Sequence, residues 1–163
     1  MAAGSTYTPI ATTTISSDAS TITFSSISGS YTDLVLQGAI NLSTSGGQLR
    51  FYFNGSTATN YSSTNLRGTG SAAQSSRTLN DGNIIVSYTD PSSMNAFALN
   101  VMNYSNTTTY KTTLARNGNT NYATEAGVGL WRSTSAVTSI TLTCGDGKFT
   151  TGTTLTLYGI QAA

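Results

Sequence analysis

An all-β protein built of two packed antiparallel sheets is what this sequence predicts, from three observations. Short runs rich in β-branched and aromatic residues alternate with polar ones along most of the 163 residues, the pattern of half-buried strands. Asn-Gly and Asp-Gly pairs punctuate the chain at Asn54-Gly55, Asp81-Gly82, Asn117-Gly118 and Asp146-Gly147, and such pairs adopt the positive φ of tight turns at little cost. No window places apolar residues at i, i+3, i+4 and i+7 over three turns, so no helix is expected.

The strands follow in order. The alternation predicts Ile10–Ile15, Thr21–Ile27, Asp33–Ile40 and Gln48–Phe53, then Tyr61–Arg67, Asn83–Tyr88, Ala96–Met102 and Thr109–Arg116. Gly127–Arg132, Ser139–Cys144 and Thr153–Ile160 complete the set. In Leu34-Val-Leu36 and Ile84-Ile-Val86 the apolar run is continuous, which predicts central strands covered on both faces. Pro9 and Pro91, the two prolines, lie outside the strand centres, as a hydrogen-bonded ladder requires. Stretches 68–80 and 104–108 read as long loops, the places where a rigid sandwich usually meets partners. The first nine residues are small and polar and read as an N-terminal arm, leaving 10–163 as one domain. About eleven strands in one domain favour an antiparallel, jelly-roll-like β-sandwich. An immunoglobulin-like sandwich is the alternative, but it needs fewer strands.

Composition narrows the function classes. A third of the residues are serine or threonine, and there is no histidine. Only 8% are charged, with seven basic and six acidic residues and a net charge of +1. The basic residues are scattered, so the phosphate-facing stripe that nucleic-acid binding needs is not predicted. A near-neutral surface lacks the repulsion that keeps copies apart and suits a chain that assembles or is anchored, the alternative being simply a polar, uncharged surface. The N-terminus carries neither a basic start nor an apolar stretch, and no run is long enough to span a membrane. The chain is therefore expected to fold in a cytoplasm, with no membrane partner.

Catalytic constellations are weak throughout, and the chain is not expected to be an enzyme. Without histidine the abundant serines lack their usual base. A Ser–Lys pair would have to use Lys111 or Lys148, both in ordinary polar surroundings where lysines are solvated. Glycoside hydrolysis needs two carboxylates. Asp18, Asp81, Asp90 and Asp146 read as turn residues, Asp33 opens a strand, and only Glu125 lacks such an explanation. Cys144 shares the parity of Ile140 and Leu142 and is expected in the core as a structural thiol. No Cys/His cluster, calcium loop or phosphate cradle is visible, so no metal or cofactor is expected. Phe24, Phe51, Phe53 and Phe97 are expected in the core. Trp131 should face away from Val128 and Leu130, and Tyr61, Tyr104, Tyr110 and Tyr122 should flank loops.

Four phrases stand together in order: Tyr31-Thr-Asp-Leu-Val-Leu36; Phe53-Asn-Gly-Ser-Thr-Ala-Thr-Asn-Tyr61; Gly129-Leu-Trp-Arg-Ser-Thr-Ser-Ala-Val-Thr-Ser-Ile-Thr-Leu142; and Thr154-Leu-Thr-Leu-Tyr-Gly-Ile160. Over residues 7–160 the chain resembles small β-sandwich virion proteins of tailed bacteriophages. The resemblance implies a structural role in the virion after assembly in the host cytoplasm. It is either a capsid decoration (cement) protein or a tail-fibre module. As cement, a homotrimer would bind over junctions between subunits of the major capsid protein. As a tail-fibre module, the chain would recognise a host surface glycan. The shared phrases read as fold determinants, so no site residue is carried over.

Overall fold

In the computed structural model, described over residues 6–43, 47–88, 93–119 and 121–161, twelve strands form two antiparallel sheets. They are β1 (Tyr7–Thr14), β2 (Thr21–Phe24), β3 (Asp33–Ile40), β4 (Gln48–Phe53), β5 (Tyr61–Gly68) and β6 (Ala73–Asp81). There follow β7 (Ile84–Tyr88), β8 (Asn95–Met102), β9 (Lys111–Asn119), β10 (Ala123–Trp131), β11 (Ile140–Thr143) and β12 (Thr154–Ile160). The larger sheet runs β1-β12-β3-β8-β9-β10-β5-β6 and the smaller β2-β11-β4-β7.

Two hairpins, β5–β6 and β9–β10, are additions to a simpler plan. Without them the sheets read β1-β12-β3-β8 and β2-β11-β4-β7, with the chain crossing between sheets at nearly every step. That is the eight-stranded jelly roll. The hairpins then meet through the β10–β5 ladder and extend the first sheet past β8.

The core lies between the sheets. Leu36 stands between Leu157 and Leu99 in register across three strands, and Phe51, Phe53, Ile140 and Leu142 face them from the smaller sheet. Phe53 meets Phe51 at 5.3 Å and Trp131 at 5.4 Å between ring centroids, and Trp131 stacks on Tyr61 at 5.9 Å with 11° between the planes. Burying each such side chain contributes about 1.5–3 kcal/mol. The four phenylalanines named above, Trp131 and Cys144 are all buried as expected. Tyr61 and Tyr104 go further inward than expected. The Tyr61 hydroxyl accepts from the Phe53 N–H (3.1 Å), and Tyr104 donates to the Ser28 carbonyl.

The structure corrects several expectations. β1 begins at Tyr7, so Tyr7, Thr8 and Pro9 pair with β12 rather than forming an arm; residues 1–5 lie outside the described residues, as does the Asp90-Pro91 turn. Most of the expected loop 68–80 is β6, closed on β5 by Thr69 N–H donating to Ala72 O at 3.0 Å. Its side chains are mostly polar and exposed on both faces, Ala73 and Leu79 included, so no alternation betrays it. Asn117-Gly118 is not a turn but the end of β9, paired to Glu125 and Thr124. Leu34–Leu36 is central as expected, but Ile84–Val86 lies on an edge strand. It is buried because β5, β9 and β10 fold over it. The Asn65 amide also donates to Ile85 O at 3.1 Å, covering that edge.

Among the expected turns, Asn54-Gly55 is formed, with φ of 53° and 66° and Ser56 N–H donating to Phe53 O. The Asn54 side chain then binds 136–139. It donates to Ala136 O at 2.8 Å and accepts from the backbone N–H groups of Thr138 and Ser139.

Cys144 gives a testable pH dependence. Burial pushes its thiol from 9.0 up to about 11. A raised folded-state value stabilises fully below pH 9, and this contribution is lost as pH climbs to about 11, because the unfolded chain releases its proton first. The gap is worth roughly 2–3 kcal/mol. Urea titrations across this window should show wild type losing stability faster than Cys144→Ala. Parallel curves would reject the assignment.

Candidate interaction face and polar cleft

Beyond the inward Trp131 and Tyr61, the extension β9-β10-β5-β6 departs from the usual polarity of a half-buried sheet. In β9 the inward side chains are Lys111, Thr113, Ala115, Asn117 and Asn119, while Leu114 and Arg116 point out. In β10 Glu125, Gly127 and Gly129 point in and Val128 points out; in β5 Ser63 and Asn65 point in and Leu66 out. The two inward glycines fit the space. A Cβ on Gly129 would lie 2.6 Å from the Ile84 side chain, and one on Gly127 would lie 2.2 Å from Asn65 Oδ1.

Some of the inward polar groups find partners within the fold, whereas Ser63 Oγ, Asn65 Oδ1, Thr113 Oγ1 and Asn117 Oδ1 are buried without one among the described residues. Asn119 donates to Asn95 Oδ1 at 3.2 Å and accepts from the Ser93 hydroxyl at 2.7 Å. Lys111 corrects the expectation of a solvated lysine. It is fully buried, and its ammonium donates to Thr109 O at 2.8 Å and Thr134 O at 3.3 Å. Burial holds its pKa below the ordinary lysine value. No serine hydroxyl is among those partners, so the geometry gives no Ser–Lys dyad at Lys111.

The outward face exposes several large apolar side chains among serines, threonines and two arginines. Leu114 and Val128 oppose each other directly, and Leu66 sits one strand and one step away. Leu66 is 60% exposed, Leu79 55% and Val128 51%. Exposed large apolar side chains gathered on one face are a mark of an interaction site. Beside it lie two shallow hollows, of about 510 Å³ over β8 and β9 and about 600 Å³ over β10, β5 and β6. Small residues make their floors: Ala96, Ala98 and Gly118 in one, Gly68, Ala73 and Ala126 in the other. Arg116 borders both. The outward positions of β8, β9, β10, β5 and β6 carry Arg77 and Arg116 but no carboxylate.

On the inward side, at the rim, Glu125 sits in a cleft of about 350 Å³ with Asn65, Arg67, Gln74 and Ser76. Arg67 Nε is 3.7 Å from Glu125 Oε1, and the same guanidinium donates to Gln74 and to the Tyr122 hydroxyl at 3.1 Å. A second carboxylate does not line this cleft among the described residues. Asp33 accepts instead from the Asn103 N–H, and Asp81 from the Gly82 N–H, each at 2.6 Å. The arrangement therefore suits polar binding rather than two-carboxylate hydrolysis.

No family model, curated protein or solved structure matches this chain. The sequence did carry a signal for this face. The inward glycines and Lys111 share the parity of the buried Trp131 across the β9–β10 ladder. Hydrophobicity alone assigns Leu114 and Val128 to the interior and so conceals it.

Proposed function

We propose that this chain is a structural protein of a tailed-phage virion, a capsid decoration (cement) protein seated over junctions between major capsid subunits. The observation that carries the reading is the outward face of the extension. Leucine and valine side chains are spent outward while polar ones are folded in, an arrangement that gains stability when another protein covers the outside. The resemblance of the four ordered phrases to those of small virion proteins supports the particle as the place. Docking there adds buried interface across a lattice under internal pressure and requires no catalysis. Arg116, between two apolar hollows, favours a capsid surface offering apolar side chains around a carboxylate.

Copy number per purified virion, measured against the major capsid protein by mass spectrometry, tests the reading. A number comparable with the capsid protein's supports cement, and a number matching the tail's few copies sinks it. Arg116→Glu, an exposed change that should leave the fold intact, is expected to weaken occupancy by about tenfold or more. Unchanged occupancy would mean that this face does not dock.

The Glu125–Arg67 cleft favours a second reading, a tail-fibre module that recognises a host glycan. Its mixed donors and acceptors beside Tyr122 suit sugar hydroxyls. Low copy number together with loss of host adsorption in Glu125→Gln would select it.

A further inference from the structure

Each sheet has two edges, and three of the four are protected by recognisable devices. β1 carries Pro9 and a bulge between Pro9 and Ala11. β2 is only four residues long. β7 is overlaid by the extension, with Ile85 O bonded to Asn65. The fourth edge, β6, has a bulge only at its end, at Asn80, and is unprotected from Ala73 to Leu79. It is nine residues long, exposed along nearly its whole length, without proline or lysine, and charged only at Arg77 and at its last residue, Asp81. Long, unprotected edges template further strand pairing, and proteins otherwise guard against this.

The hairpin fixes which backbone groups are free. Thr69 and Ala72 form a hydrogen-bonded pair at the turn. Pair type alternates along an antiparallel ladder, so Gln74 and Ser76 bond to β5, while Ala73, Ser75 and Arg77 direct N–H and C=O outward. No backbone bond to these outward groups exists among the described residues.

We infer that β6 pairs antiparallel with β6 of a second copy about a two-fold axis, joining two large sheets into one. A second copy fits because the strand is self-complementary. A two-fold at Ser75 sets Ala73 opposite Arg77, and one at Ser76 sets Ser75 opposite Arg77. In both, outward donors meet outward acceptors with no like charges opposed. An axis at Arg77 would oppose two guanidiniums, and beyond Leu79 the bulge at Asn80, with φ 54°, ends the ladder. The near-neutral chain adds little repulsion. Because the axis is perpendicular to the sheet, both outward faces lie on the same side. The inference stands whether or not the particle role does.

Light scattering of the purified full chain tests it. Wild type should have twice the chain mass. Ser75→Pro, which removes an outward N–H and leaves the β5 ladder intact, should be a folded monomer. Should Ser75→Pro fail to fold, cysteine substitutions decide. Opposed Cα atoms lie about 5.5 Å apart in a bonded pair and about 4.5 Å in a non-bonded one, within disulfide range. Ser75→Cys or Ser76→Cys should therefore cross-link to a dimer on oxidation, while Thr12→Cys on the far edge should not. Buried Cys144 does not compete. The inference is overturned by a wild type that is monomeric at high micromolar concentration. It is equally overturned by a dimer or trimer that survives Ser75→Pro, or by both cysteine variants remaining uncross-linked.

Discussion

Gly38→Ala should cost the protein about 3–5 kcal/mol and lower its melting temperature by roughly 10 °C. Gly38 lies in β3 with φ at +154°, and a Cβ built there would be 2.0 Å from Thr154 O and 3.1 Å from Leu155 Cα. Those atoms are backbone, so no rotamer change relieves the overlap. β12 cannot simply withdraw, because it is laddered to β3 on one side and β1 on the other. The energy is therefore paid as lost ladder or lost core around Leu155 and Leu157. Gly118→Ala is the control, since nothing lies within 4 Å of its added Cβ in the same sheet. Calorimetry on both decides: a Gly38→Ala midpoint within a degree or two of the control's would show that the close approach is not rigid.

Lys111→Glu is expected to be about as damaging, at about 4 kcal/mol or more, and Lys111→Met nearly neutral. The buried ammonium faces two carbonyl oxygens. A carboxylate there would add a third acceptor with no donor, in surroundings that cannot solvate it. Methionine matches the stem and removes the charge, so the lost hydrogen bonds and the relieved desolvation should roughly cancel. The pH dependence separates this account from simple packing. The folded-state pKa is lowered. Between that value and the unfolded one the unfolded chain binds more protons, so the Lys111 contribution to stability rises with pH in that window. Subtracting the Lys111→Met curve from wild type should leave that rise. A flat difference would mean that the ammonium is solvated in the folded state.

The legible part of the fold was the part written in apolar alternation. Most of the jelly-roll strands announce themselves because one face of each packs on Phe51, Phe53, Leu36 or their neighbours. β6 is silent because neither of its faces is buried, and a strand held only by ladder bonds leaves no side-chain period. In β9 and β10 the strands were legible but their orientation was not. Leu114 and Val128 point outward because Gly129 must admit Ile84 and Lys111 reaches carbonyls on neighbouring loops. These are tertiary constraints with no local trace. The same holds for the cleft. Glu125 stood out as the one acid without a turn, but its partner Arg67 comes from a strand more than fifty residues earlier.

The pairing of Tyr7 with Ile160 places the first and last strands side by side. A ribosome delivers β1 before, and β12 after, all the other strands of the fold. Until β12 emerges, β1 has no neighbour and β3 keeps an open edge beside its buried leucines. Completion of the larger sheet therefore waits for the last of the twelve strands and is slowed by the long loop it must close. A nascent chain halted before Thr154 exposes an aggregation-prone edge for as long as it waits.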